Sequence, residues 1–127
     1  MARGKLVLVL HSHLPYVLSH GRWPHGMDWI HEAAAETYMP VLQIMDRLIA
    51  EGISPKLTIG LTPVLTEMLA DEVFKTDFES YLDQKTLAAG HDAEEFYRTN
   101  DGRHDLARMW EDFYGGMKEY FTVTLGR

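Results

Sequence analysis

The run Lys5-Leu6-Val7-Leu8-Val9-Leu10 is apolar at nearly every position. A strand that buries one face alternates polar and apolar residues. An unbroken apolar run predicts a strand covered on both faces, as in a parallel sheet flanked by helices. His11-Ser12-His13-Leu14-Pro15-Tyr16-Val17 follows at once. Chemistry in α/β folds gathers at the carboxyl ends of such strands, so His11 and His13 are site candidates by position.

A loop rich in Gly, Pro, His and Trp is predicted from Ser12 to Met27. Asp28 is the expected N-cap of a helix reaching about Ala50. Its apolar positions Ile30, Ala34, Tyr38, Val41, Leu42, Met45, Leu48 and Ile49 recur at helical spacing. Pro40 inside it should kink it. Lys56 to Gly60 reads as a second short strand. Thr62-Pro63 then opens a helix, with Thr62 as N-cap and Pro63 in the first turn. Thr76 with Glu79 resembles a capping box for a further helix from Asp77 to Ala89, ended by Gly90. The stretch Asp92-Ala93-Glu94-Glu95 reads as a solvated helix start. From His104 a last helix aligns Leu106, Met109, Trp110, Phe113, Met117, Tyr120 and Phe121. The inventory is α/β: two parallel strands and four to five helices. A sheet so narrow has open edges and cannot cover its helices. The pattern predicts the front piece of a larger α/β domain.

Composition narrows the function. The 127 residues carry 12 Lys and Arg against 19 Asp and Glu, a formal charge of −7. That balance argues against a nucleic-acid backbone or an anionic membrane as partner. No apolar stretch approaches a membrane span. Cysteine is absent, which removes disulfides and thiolate–zinc sites and leans towards the cytoplasm. Leu6 to Leu10 is shorter than a signal-peptide apolar core and lacks a cleavage site, so export is not expected.

His11 and His13 lie on one side if the extended backbone continues past Leu10. Such a pair can supply two metal ligands, or hydrogen bonds to hydroxyl groups. The spacing alone does not separate these. Trp23, Trp29 and Tyr16 offer aromatic faces beside the same loop, suited to stacking on sugar rings or to anchoring the loop. Glu32 and Glu36 are four apart, but acids early in a helix complement its dipole and face solvent. No phosphate loop, nucleophile elbow or His-Glu-x-x-His motif is present.

Leu8-Val9-Leu10-His11-Ser12-His13-Leu14-Pro15-Tyr16-Val17 resembles the first sequence region of glycoside hydrolase family 57, nearest to its branching enzymes. Trp29, Glu32-Ala33 and Ala35-Glu36-Thr37-Tyr38-Met39-Pro40-Val41-Leu42 resemble the helix that follows. Thr58-Ile59-Gly60-Leu61-Thr62-Pro63-Val64-Leu65 resembles the second region. Asp71 to Arg127 is similar only as a helical insertion. Leu18 departs from the Arg common among related branching enzymes.

The resemblance implies a seven-stranded β/α barrel, with residues 1–127 as its incomplete N-terminal part and a helical insertion after strand two. It implies retaining, metal-free and cofactor-free chemistry on α-1,4-glucan by a Glu nucleophile and an Asp acid/base. Both carboxylates belong to later regions, so this chain has no catalytic residue and is expected to be inactive alone. It needs the remaining part of the barrel as partner. Substrate binding falls by resemblance to His11, His13 and Trp29, with Tyr16 and Trp23 nearby. The expected parent is a 1,4-alpha-glucan branching enzyme or a related glucanotransferase or amylase. The alternatives are a metal-dependent, deacetylase-like barrel with His11 and His13 as ligands, and an inactive truncated glucan-binding product.

Overall fold

The computed structural model describes residues 4–126. The chain forms two compact units, one up to Asp71 and one from Glu72 onward. The first holds the sheet. Strands β1 (Leu8–Ser12) and β2 (Leu57–Leu61) pair in parallel, with Leu8 opposite Leu57, Leu10 opposite Ile59 and His11 opposite Gly60. Both strands run further towards their carboxyl ends than the apolar runs predict. Pairing continues through Ser12, and Thr62 N–H donates to the Ser12 carbonyl at 3.3 Å. His11 therefore lies inside the strand.

The expected burial of both strand faces is not met. Leu8 is 50% and Val9 61% exposed. Among the described residues β1 has one neighbouring strand, and an apolar face is covered only where another layer lies on it.

Helix α1 (Met27–Ala33) passes through a π-helical turn (Ala34–Tyr38) into α2 (Met39–Ala50). Asp28 is not the N-cap; that position is Gly26, and Asp28 lies in the first turn. Carbonyls of the loop take over capping. Gly21 accepts from Met27 N–H at 2.8 Å, and Arg22 accepts from Asp28 N–H at 3.2 Å. A Cβ at Gly26 would sit 2.1 Å from the Gly21 carbonyl oxygen, so only glycine fits this close crossing. Asp28 is freed for an ion pair with Arg22 at 3.3 Å.

The helix responds to Pro40 by widening. Proline cannot donate to the preceding turn. Just ahead of it, Met39 N–H reaches back five residues to the Ala34 carbonyl. The next helix, α3 (Pro63–Ala70), begins as expected: the Thr62 hydroxyl accepts from Leu65 N–H at 3.4 Å and Pro63 fills the first turn. Buried Leu65 and Met68 anchor it. Met68 Sδ accepts from the buried Val17 N–H at 3.3 Å, tying the loop after β1 to α3.

The second unit is a helical hairpin of α4 (Glu72–Arg98) and α5 (His104–Glu119), the latter ending in a π-helical turn (Tyr120–Thr124). The expected helix from Asp77 to Ala89 is only the middle of α4. Buried Phe74, Phe78, Tyr81 and Leu82 make one continuous apolar stripe through Thr76 and Glu79, which leaves no reason for a new start there. Asp92 to Glu95 is likewise mid-helix, and Ala93 is buried. Gly90 does not stop the helix. It sits where α5 comes close: an added Cβ would lie 3.1 Å from the Glu111 carboxylate. On α5 the buried stripe is Ala107, Tyr114 and Met117, continuing to Phe121, while Leu106 and Met109 are exposed. The turn between the helices is set by Asp101, which accepts from Arg103 N–H at 2.9 Å and from its guanidinium at 2.7 Å. These bonds hold the Asp101 carboxyl down at about 2. Its contribution is complete above the ordinary carboxylate range and is lost as pH falls through that value.

Phe78 is the centre of this unit. It is fully buried, stacks on Phe74 at 5.3 Å and meets Phe121 edge-on at 4.9 Å. Replacing it with Ala should cost about 3–5 kcal/mol, the range for emptying a core aromatic site. Denaturant unfolding of wild type and Phe78→Ala measures this; a loss below about 1 kcal/mol would show that the hairpin does not rest on this cluster.

Candidate functional site

Side chains alternate along β1, so Leu8, Leu10 and Ser12 face one way and Val9 and His11 the other. Of the first set, Leu10 and Ser12 look onto α2. Leu10, Ser12, Ile59 and Leu61 share a cavity of about 350 Å³ with Tyr38, Leu42 and Met45. His11 also lines its edge. The lining is mainly aliphatic, with hydroxyls at the Ser12 end. Ser12, at the end of β1, and Tyr38, of the π-helical turn, both line it.

Burial pushes the Tyr38 phenol above its ordinary value, and the nearby Ser12 hydroxyl pulls it partly back. The neutral phenol is thus the form the fold favours.

His11 and His13 come together as the two-residue spacing predicts. Their ring centroids are 5.3 Å apart, tilted by 35°, and both residues are exposed. Two imidazoles side by side at the carboxyl edge of a strand present ring nitrogens that donate to or accept from hydroxyl groups. The other side of His11 is β2. Its register partner Gly60 has no side chain, and a Cβ built there would lie 3.2 Å from His11 Nδ1.

The aromatic candidates form a separate surface. Trp23, Pro24, His25, Trp29 and Glu32 line a shallow cavity of about 300 Å³. Trp29 belongs to the first turn of α1, and its ring lies 5.6 Å from that of His25. Trp23 is 80% exposed and Trp29 41%. Tyr16 is not among the residues lining this cavity; it meets His20 edge-on at 6.3 Å. Glu32 is exposed as expected of an early helical acid, yet it borders the two Trp rings, which the dipole argument missed. Ser12, Tyr38 and Gly60 were also missed as site neighbours. The signal for Tyr38 was present in Pro40, whose missing N–H marks where the helix must adjust. Among the described residues, no group of three or more His, Asp or Glu side chains could hold a metal ion. No helix there is long and apolar enough to cross a membrane.

The chain is 46% identical over 90 residues to a 1,4-alpha-glucan branching enzyme of Thermococcus kodakarensis, a match covering 71% of this chain and 13% of the relative. Its structure superposes on a GH57-type branching enzyme from Pyrococcus horikoshii with a TM-score of 0.89 and 37% identity, covering 98% of this chain and 23% of that one. It superposes on the alpha-amylase AmyC of Thermotoga maritima with a TM-score of 0.83 and 28% identity, covering 98% of this chain and 24% of that one. No protein-family model matches the chain. Sequence and structure together support a relation of this mixed α/β chain to glycoside hydrolase family 57. The match is to the N-terminal portion of such enzymes, and it spans 13% of the length of the curated relative.

Tyr38→Phe removes the phenol whose titration burial shifts. In wild type the raised phenol pKa contributes stability that is complete below the ordinary tyrosine value and is lost as pH rises through the folded value. Unfolding followed against alkaline pH should show this decline in wild type and a shallower one in Tyr38→Phe. Identical curves would mean that the phenol is as solvated in the fold as out of it.

Proposed function

We propose that this chain is the N-terminal part of a retaining enzyme acting on α-1,4-glucan, with branching as the parent activity. In this reading residues 1–127 belong to one catalytic barrel completed by later strands of the parent protein. The 46% match to a branching enzyme supports the activity. The observation that carries the site is the pairing of His11 and His13 at the carboxyl edge of β1. That is where a β/α barrel binds its ligand.

His11 and His13 bind hydroxyls of the donor sugar, and Trp29 stacks on a neighbouring glucose unit, with Trp23 and Tyr16 further along. This chain supplies binding and orientation. The nucleophilic and acid/base carboxylates come from later in the parent barrel. A hydrogen bond from His11 that tightens as the ring flattens towards an oxocarbenium ion favours the transition state over the ground state. Trp stacking favours both alike. The exposed apolar faces of β1 and β2 are the surface that later strands and helices of the barrel would cover. The parent works in the cytoplasm, without metal or cofactor.

The test is steady-state kinetics on amylose with the full-length parent enzyme. His11→Ala should lower turnover by about 10²–10³, as for removal of a preorganised donor, with its melting temperature nearly unchanged. Trp29→Ala should raise KM and leave kcat largely intact. Near-normal turnover of His11→Ala, or a loss explained by unfolding, would make His11 a structural residue.

A further inference from the structure

Gly60 stands in the middle of a strand, where glycine is a poor choice. It weakens the strand and offers no side chain to pack. Its backbone does not require it, since its φ is not among the positive values of the chain. What surrounds the missing side chain gives the reason. The nearest atom to a Cβ at this position is His11 Nδ1 at 3.2 Å, and the next is the Leu10 carbonyl oxygen at 3.9 Å. The backbone leaves room for a methyl group; the imidazole would have to give by a few tenths of an ångström.

We propose that Gly60 is a positioning residue whose bare Cα forms a seat on β2 for the imidazole of His11. The parallel register puts the two residues directly opposite each other. The His11 ring lies against this seat and has its centroid 5.3 Å from that of His13. Any side chain at position 60 displaces the ring from the seat by a few tenths of an ångström or rotates it about χ1. A hydrogen bond aimed at a sugar hydroxyl is sensitive to such a shift. The inference rests on the reading of His11 as a sugar-binding residue and adds the residue that holds it in place.

A double-mutant cycle in the full-length parent enzyme tests it, with amylose as substrate. Gly60→Ala should lower kcat about ten-fold, in line with the cost of a sub-ångström misplacement, and leave KM within about two-fold. In a His11→Ala background, Gly60→Ala should have no further effect, because the ring it displaces is gone. A crystal structure of Gly60→Ala should show the His11 ring moved or rotated. An unmoved ring, or the same ten-fold loss in both backgrounds, overturns the proposal. Should Gly60→Ala fail to fold, folding of the Gly60→Ala, His11→Ala protein supports it, and failure of both overturns it. If His11→Ala keeps full turnover, the sugar-binding reading fails, and the seat is then decided by the crystal structure alone.

Discussion

The parallel register of β1 and β2 is the constraint on which the site depends. It sets His11 opposite Gly60 and Ser12 opposite Leu61. A slip of one residue would bring the side chain of Ile59 or Leu61 against the imidazole, and a shift of that kind exchanges the two faces of a strand. Two features hold the register. The apolar partners Leu10 and Ile59 line the cavity beside α2, and Thr62 N–H donates to the Ser12 carbonyl just beyond the paired region. Thr62 is also the N-cap of α3. The end of β1 and the start of α3 are therefore fixed by one residue.

The helical layer is adapted to the same strand end. Pro40 removes a donor from the middle of a long helix, and the π-helical turn absorbs the defect one step earlier. That turn ends in Tyr38, which lines the same cavity as Ser12, the residue between the two candidate histidines. The loop after β1 is held from other directions, by Met68 on Val17 and by the Gly26–Gly21 crossing. His11 and His13 stand exposed on a scaffold whose attachments are buried or hydrogen-bonded.

Much of this was legible in the chain, and the exceptions share a cause. Local signals carried the apolar strands, the Thr62–Pro63 helix start and the pairing of His11 with His13. Each depends on residues within a few positions of each other. The errors came where distant residues decide. Asp28 has the chemistry of an N-cap, but carbonyls of Gly21 and Arg22 occupy that role. Thr76 and Gly90 look like a helix start and stop. The stripe from Phe74 to Leu82 overrides the first, and the approach of Glu111 explains the second. Gly60 reads as a mere weak spot in a strand until its partner across the sheet is known. Trp23 and Trp29 line one cavity, and Tyr16 meets His20 edge-on outside it.

The account turns on glucan meeting the protein at the carboxyl edge of β1. A crystal structure of the full-length parent enzyme with a bound maltooligosaccharide measures that most directly. It should place a sugar hydroxyl within hydrogen-bonding distance of a ring nitrogen of His11 or His13, with a glucose unit against the face of Trp29. A bound oligosaccharide in the catalytic cleft that leaves both imidazoles without a sugar contact would contradict the account.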